Sequence, residues 1–335
     1  MILIVHYSTV LPRILKNGAI ILGENLVADG FDEKPFRIVS HFHADHITEL
    51  SKSIKKSIGI IATPATLEVL NLDYNIPPRK SFSLNYSIST HFEDEVLTLE
   101  RAEHVFGSCQ VLVKGKDGVT IGYTGDFKNP VKGTPVLKSD ILIIESTYGS
   151  EKFRRTFKAD VDDLFYGYVN DALTRGPVIV YSYHGKAQEA MLLLREMGII
   201  APFITEGKFT KITEIAKKYG YNIEGVFDIS SSEGKEAVKS GWYVEFRHYN
   251  DFKKRTENGT NFVLSGWEFG SAVRKVDHNS YVVSFSDHAD FDDLLYYVDN
   301  SPASMIIVDG GRKGHAMELA KAIRSRLGRK AIYMP

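Results

Sequence analysis

The run Ser40-His41-Phe42-His43-Ala44-Asp45-His46 places three imidazoles and a carboxylate within six residues, directly after the apolar pair Ile38-Val39. A strand ending in a tight loop lets all four side chains converge on one point, which is the arrangement of a metal site. Imidazole nitrogens and carboxylate oxygens with no thiolate suit zinc, with manganese and iron fitting less well. They favour a catalytic site with an open position over a closed structural one. The alternative is a set of surface histidines on a loop, but clustered imidazoles at this spacing need a shared partner.

Such a site needs a large frame. With 335 residues the chain exceeds the roughly 250–300 at which single cores stop growing, so two domains are expected. Its 43% hydrophobic and 25% charged residues are those of an ordinary soluble globular protein. The only cysteine, Cys109, excludes an intramolecular disulfide scaffold. Met1-Val5 is too short for a signal-peptide core, and no run approaches the roughly 20 apolar residues of a membrane helix. An intracellular, cytoplasmic protein without a membrane partner is expected. The formal net charge of -1 gives no global attraction to nucleic acid, so a polyanion would have to be held by local basic groups and by the metals.

The apolar pattern divides the chain. Up to about residue 148 the runs are short and separated by turn residues: Ile2-Val5, Ala19-Leu22, Asn25-Ala28, Arg37-Val39, Ile58-Ala62, Val96-Leu99, Gln110-Val113, Val119-Tyr123 and Ile141-Ile144. These predict strands, several joined by hairpins such as Lys116-Asp117-Gly118. Between about residues 158 and 264 strand and helix alternate. Val161 to Ala172 recurs at helical spacing, Pro177-Tyr181 reads as a strand and Lys186-Met197 as a helix. A strand near Phe203 and a helix from Phe209 to Tyr219 follow, which implies a parallel α/β layer. The end of the chain predicts a strand at Tyr281-Phe285, a helix at Phe291-Val298, a strand at Met305-Val308 and a helix at His315-Leu327. Without repeats or long linkers, the middle reads as an insertion: 1–150 with 281–335 forms one domain, and 151–280 lies within it.

Further ligand candidates follow the first motif. Glu103-His104-Val105-Phe106-Gly107 puts a histidine before a glycine turn, and Thr124-Gly125-Asp126 puts an aspartate at the end of a strand. A carboxylate can bridge two cations where an imidazole cannot. His41, His43 and His104 therefore make one sphere, Asp45 and His46 the second, and Asp126 the bridge. Two metals about 3.5–4 Å apart clamp a phosphoryl group and generate a nucleophile.

His41-x-His43-x-Asp45-His46, with His104 and Asp126 downstream, resembles the metallo-β-lactamase superfamily. Its fold is an αββα sandwich with the metals at one edge of two facing sheets. The resemblance makes Asp29, in Val27-Ala28-Asp29-Gly30, the carboxylate that orients a histidine ligand. From the residues alone, an ordinary Asp-Gly turn fits as well. Ile143-Ile144-Glu145-Ser146-Thr147-Tyr148-Gly149 and Ser284-Phe285-Ser286-Asp287-His288-Ala289-Asp290 are similar to the acidic and histidine motifs of the β-CASP nucleases, in which an α/β cap interrupts that fold. The resemblance implies that Glu145 orients His288, a general acid toward the leaving oxygen. It also implies that Asp45 belongs with them in the catalytic set and that Ser146, Thr147 and Tyr148 contact substrate. Ser286-Asp287-His288 is no serine-protease triad, because triad members meet through folding and not by adjacency.

In the cap, His184-Gly185-Lys186-Ala187-Gln188 sets a glycine and a lysine between strand and helix, where backbone amides face an anion. Lys186 is a phosphate-binding candidate, or else a solvated first-turn lysine. Ser265-Gly266-Trp267 followed by Arg274 and Lys275 resembles a segment of the ligase-associated DNA exonucleases, and Trp267 and Arg274 join the substrate-binding candidates. The first motif is also similar to the Artemis-type repair nucleases, whereas the mRNA-cleaving branch more often has arginine in the place of Lys186.

One departure concerns the late strand. Where many β-CASP enzymes carry a His-Gly pair, this chain reads Asp309-Gly310. Asp309 offers an oxygen to the second metal, or His315, six residues on, reaches the site or a phosphate instead. Arg312 and Lys313 either assist with a phosphate backbone or lie in a solvated loop. The expectation is a phosphodiesterase with two zinc ions, or manganese, acting on nucleic acid. DNA is preferred over RNA, and the resemblance implies hydrolysis from a 5′ end in repair or processing. The alternatives are an RNA-processing nuclease of the same superfamily and a small-molecule thioester or lactone hydrolase, which needs no such cap. A non-catalytic binding protein is disfavoured by the filled ligand positions.

Overall fold

The computed structural model describes residues 11–335, so the strand expected at Ile2-Val5 lies outside the described residues. The chain forms two units, one ending at Arg154 and resuming with His288–Pro335, the other Arg155–Asp287.

In the first unit, β1 (Arg13–Ile14), β2 (Ile20–Ile21), β3 (Leu26–Ala28), β4 (Phe36–Ile38), β5 (Gly59–Ala62) and β6 (Ser81–Ser83) form one sheet in sequence order. It is antiparallel at β1 to β3 and parallel from β3 to β6. Two short helices, α1 (Leu50–Lys56) and α2 (Pro64–Leu70), flank β5. Thr63 caps α2 through its side-chain oxygen and Pro64 opens it, the residues that helix starts favour. A second sheet begins with β7 (Thr90–Phe92), β8 (Glu95–Arg101), β9 (Cys109–Lys114), β10 (Thr120–Tyr123) and β11 (Ile141–Ile144).

The second unit follows. Its elements are α3 (Val161–Leu173), β12 (Val178–Ser182), α4 (Lys186–Glu196), β13 (Phe203–Thr205), α5 (Lys208–Lys218), β14 (Val226–Asp228), α6 (Ser232–Ser240), β15 (Val244–His248), a 3₁₀ turn at Tyr249–Lys254, β16 (Thr260–Leu264), β17 (Val273–Lys275) and β18 (Ser280–Val283). The strands form one sheet in the order β14-β13-β15-β12-β16-β18-β17, and all pairs but β17–β18 are parallel. The return to the first unit, expected at residue 281, comes later. Tyr281 and Val282 pair with Phe262 and Val263, which keeps that strand in the second unit's sheet.

The chain then completes the second sheet of the first unit with α7 (Phe291–Asp299), β19 (Met305–Asp309), α8 (Ala316–Leu327) and β20 (Ala331–Met334). That sheet runs β20-β19-β11-β10-β9-β8-β7. Strand alternation builds two layers of core from it. Ile143 and Ile307 point to the first sheet, where they share a core with Ile38, Ile61, Leu97 and Val111. Leu142, Ile144, Ile306 and Val308 point the other way, against Leu294, Val298, Leu319 and Ile323 of α7 and α8. A strand buried on both faces reads as a continuous apolar run, as Ile141-Ile144 and Met305-Val308 do. The first unit is thus an αββα sandwich. Each fully buried aliphatic side chain in it contributes roughly 1.5–3 kcal/mol.

Candidate metal centre

The carboxyl ends of β3, β4, β8, β10 and β11 carry Asp29, the His41–His46 loop, His104, Asp126 and Glu145. Two backbone features hold these turns. Asp29 is in the left-handed region at φ 60°, and a Cβ on Gly30 would lie 2.2 Å from the Ala19 nitrogen. Gly125, at φ 56°, turns the chain so that Asp126 faces inward.

The histidine loop is fastened from beneath by Arg37, which is fully buried. Its Nη1 donates to Thr48 O and Ser53 Oγ, both at 2.9 Å, and its Nη2 to Asp29 O at 2.6 Å and His46 O at 3.1 Å. Burial pulls the guanidinium pKa down to about 10, with Asp29 opposing, so Arg37 stays charged at neutral pH. Asp29 takes up the next tier. Its Oδ1 accepts from Ser40 N at 2.7 Å, and its Oδ2 from Ser40 Oγ at 2.7 Å, His46 Nδ1 at 2.8 Å and Tyr123 OH at 2.9 Å. Burial works to raise the Asp29 pKa, but His46, Arg312 and the Ser40 amide together hold it below its usual value.

These bonds assign the tautomers. His46 Nδ1 is committed to Asp29, and His41 Nδ1 lies 3.0 Å from Ser40 Oγ. The Nε2 atoms of His41 and His46 then point inward, buried and without a hydrogen bond. Both face Asp126 Oδ2, at 3.7 Å from His41 and 3.1 Å from His46, the latter close enough for a hydrogen bond but not aligned for one. The same oxygen is 3.9 Å from His104 Nε2 and 3.9 Å from His288 Nδ1. His104 Nε2 is in turn 3.0 Å from His43 Nδ1. The Nε2 atoms of His41 and His46, buried without a hydrogen bond beside one carboxylate oxygen, fit a cation, because a polar atom left unsatisfied in the interior is costly. Ligand atoms within 4.8 Å of one another form three groups among the described residues: His41, His43 and His104; His41, His46 and Asp126; His104, Asp126 and His288. The cluster can therefore hold metal.

Electrostatics agree. Burial and the neighbouring imidazoles keep His41 neutral, with a pKa well below the usual range. Burial also opposes charge on His46, but Asp126, Asp29 and Asp45 raise its pKa to about 10 against Arg312. The Asp126 pKa is far below that of a free carboxylate, because His46, His288 and His41 outweigh the cost of burial.

Other expected residues fall as follows. Asp45 has a largely exposed side chain 3.6 Å from His46 Nε2. His288 Nδ1 is 3.1 Å from Glu145 Oε2, and Glu145 Oε1 accepts from Phe127 N at 2.9 Å. Burial pushes the Glu145 pKa up, against the pull of His288. The Ser146 hydroxyl donates to Asp309 O at 2.6 Å, Tyr148 is buried with its ring 5.7 Å from that of His288, and Thr147 is half-buried.

Asp309, expected as a ligand, joins none of the three groups among the described residues. Its Oδ2 accepts from Arg312 Nη1 at 2.6 Å and its Oδ1 from Gly311 N at 2.8 Å. Arg312, considered for a phosphate or a solvated loop, is instead largely buried and also donates to Gly18 O at 2.7 Å. His315 turns away to Glu318, 3.1 Å from its Nδ1. In the second unit, Lys186 is buried with its Nζ 3.1 Å from Asp287 Oδ1, and Arg274 Nε donates to Glu268 Oε2 at 2.7 Å. Trp267 is exposed. Sequence reasoning missed Arg37, Ser40 and Tyr123. A lone charge inside the run Phe36-Arg37-Ile38-Val39 is the one signal that could have found the first.

No protein-family model matches the chain. It is 54% identical over 137 residues to an uncharacterized protein in lig 3'region of Acidianus ambivalens, covering 41% of this chain and 98% of that protein. It is 25% identical to probable RNase MJ4 of Methanocaldococcus jannaschii, over 87% of each chain. It is 28% identical to cleavage and polyadenylation specificity factor 73 of Drosophila melanogaster over 66% of this chain, which spans 37% of that longer protein. A crystal structure of a protein of unknown function from Enterococcus faecalis V583 superposes with a TM-score of 0.60, at 13% identity, over 90% of this chain and 79% of that one, a likeness of fold. With the sandwich and the histidine cluster, these relatives identify the family: the chain belongs to the metallo-β-lactamase superfamily, in its β-CASP branch of metal-dependent nucleases.

Proposed function

We infer that the protein hydrolyses phosphodiester bonds of nucleic acid with two zinc ions, or manganese, and that it acts on DNA from an end. The observation that carries the reading is Asp126 Oδ2, within 3.9 Å of nitrogens from His41, His46, His104 and His288. His41, His43 and His104 would hold one cation and His46 with Asp45 the other, with the Asp126 carboxylate beside both sets of ligands. Divalent cations held there supply Lewis acidity at the phosphoryl oxygens and ease deprotonation of the attacking water.

The chain's own residues do the rest. Asp29, Ser40 and Tyr123 fix the tautomers of His41 and His46, so that both present Nε2 to the site. Glu145 accepts from His288 Nδ1, so that the doubly protonated ring gives its Nε2 proton to the leaving oxygen and is left as the neutral Nδ1–H tautomer. A phosphodiester needs that proton because an alkoxide is a poor leaving group at neutral pH. Tyr148, against the His288 ring, helps exclude water. Ser146 and Thr147 are proposed contacts on the same loop. Lys186, Trp267 and Arg274 are the proposed contacts of the second unit. Lys186 would exchange the Asp287 carboxylate for a phosphate, and Arg274 would do the same with Glu268.

The preference for DNA draws on the motif resemblance to the ligase-associated exonucleases and on the lig-region relative. RNA is the second reading, favoured by the likeness to a probable RNase over most of both chains. Digestion of matched end-labelled DNA and RNA single strands separates the two. Faster release from DNA is expected, and a clear preference for RNA of the same sequence would promote the second reading.

A further inference from the structure

The second unit carries a group of rings that this chemistry does not use. β12 and β15 are parallel neighbours in its sheet. The chain leaves β12 through α4 for β13 on one side, and leaves β15 through the turn Tyr249–Lys254 for β16 on the other. Right-handed crossovers of opposite direction put the two connections on opposite faces of the sheet. The packing agrees: Val178 and Val180 share a core with Ala190 and Met191 of α4, while Ile179 and Tyr181 pack with Tyr249 and Phe252. Open α/β sheets bind ligands beyond the carboxyl ends of their strands at such a switch point, here the ends of β12 and β15.

The residues at those strand ends are aromatic. Tyr183, just past β12, and Tyr249, just past β15, stack with ring centroids 4.8 Å apart and planes at 16°. His248, which ends β15, meets Tyr183 edge-on at 5.3 Å and lies 5.9 Å from His184. Its Nδ1 accepts from Asn250 N at 3.3 Å, which puts the proton of the neutral ring on Nε2. His184 in turn lies 4.3 Å from Phe209 at the start of α5. A purely structural cluster would be buried, whereas Tyr183 leaves 43% of its surface in solvent. Lys253 and Lys254 are exposed at the end of the adjoining turn and outnumber Asp251 within it.

We propose that Tyr183, His184, His248 and Tyr249 form a stacking platform for the unpaired bases of a single nucleic-acid strand. The proposal rests on the reading of the protein as a nucleic-acid hydrolase. Every base has a π face, so DNA and RNA strands share this chemistry, while a duplex hides the faces that would stack. Near-neutral overall charge also favours stacking over a long basic groove as the source of affinity.

The test is fluorescence anisotropy of the metal-loaded full chain with end-labelled, phosphorothioate-linked strands that resist cleavage. The strands are single-stranded DNA, RNA of the same sequence, an abasic strand of equal length and a closed hairpin duplex. The wild type should bind both base-bearing strands roughly 10-fold or more tightly than the abasic strand. A Tyr183→Leu, Tyr249→Leu variant with an unchanged circular dichroism spectrum should lose that advantage and keep its abasic affinity within about twofold. A variant that keeps the full advantage overturns the platform and leaves the hydrolase reading standing. So does a wild type that binds abasic or hairpin strands as tightly as base-bearing ones, a comparison that needs no variant to fold. No binding to any of the four strands overturns both.

Discussion

His288 Nδ1 lies 3.1 Å from Glu145 Oε2 and 3.9 Å from Asp126 Oδ2, so one imidazole edge is divided between an orienting carboxylate and the metal cluster. If the first contact defines its role, His288→Ala keeps its metal content while hydrolysis falls by about 10²-fold or more. Glu145→Gln, which keeps the shape and loses the charge, should fall between that variant and the wild type. Elemental analysis beside a turnover assay checks this. Loss of metal in His288→Ala with unchanged residual chemistry would make His288 a ligand, as its geometric group with His104 and Asp126 allows.

Arg37 should matter as much as any ligand without touching the cluster. Arg37→Met removes the donors to Thr48 O, Ser53 Oγ, Asp29 O and His46 O, and each buried acceptor left unpaired costs about 1–3 kcal/mol. The expected result is a lower thermal midpoint together with weaker metal binding, partly restored by Arg37→Lys. Wild-type stability in Arg37→Met would remove Arg37 from the support of the loop.

The pH dependence of the metal-free protein follows from His46. Its folded pKa of about 10 lies above the ordinary 6.5, so the stabilisation it contributes is whole below about pH 6.5 and is lost as pH rises through about 10. A cation at Nε2 displaces that proton, so metal affinity should rise over the same window and binding should release protons. Calorimetry in buffers of different ionisation enthalpy measures the release. Affinity that does not change between pH 6 and 9 would contradict the role of His46 as a ligand.

Much of this was legible in the sequence. Short apolar runs between turn residues marked β8 to β11 and β19, and helical spacing marked α3, α4, α7 and α8. The region from Val226 to Leu264 was not resolved into elements. β14 is three half-buried residues, and α6, with the sequence Ser-Glu-Gly-Lys-Glu-Ala-Val-Lys-Ser, buries only Gly234 and Ala237, so neither gives a clear apolar period. At the centre, the local motif gave the histidines, because adjacency in sequence became adjacency in space. What it could not give was long-range pairing. Tyr123 reaches Asp29 across 94 residues, and the Asp309 carboxylate pairs with Arg312.

Substrate ends provide another test. Recognition by a few phosphates near the metals predicts faster cutting of single-stranded or frayed ends than of duplex interiors, and a shallow salt slope of only a few phosphates. Lys186→Ala should slow the reaction on phosphorylated ends more than on hydroxyl ends. Equal cutting of closed circular and linear DNA would exclude action from an end.

The most direct measurement is hydrolysis of end-labelled single-stranded nucleic acid, DNA and RNA in parallel, before chelation, after chelation and after zinc is returned, with the metal content of each sample counted. Up to two zinc-like ions per chain are predicted, with activity lost on their removal and recovered on their return, and with His43→Ala both lower in metal and inactive. A protein that holds no metal and cuts at its full rate in strong chelator would contradict the account.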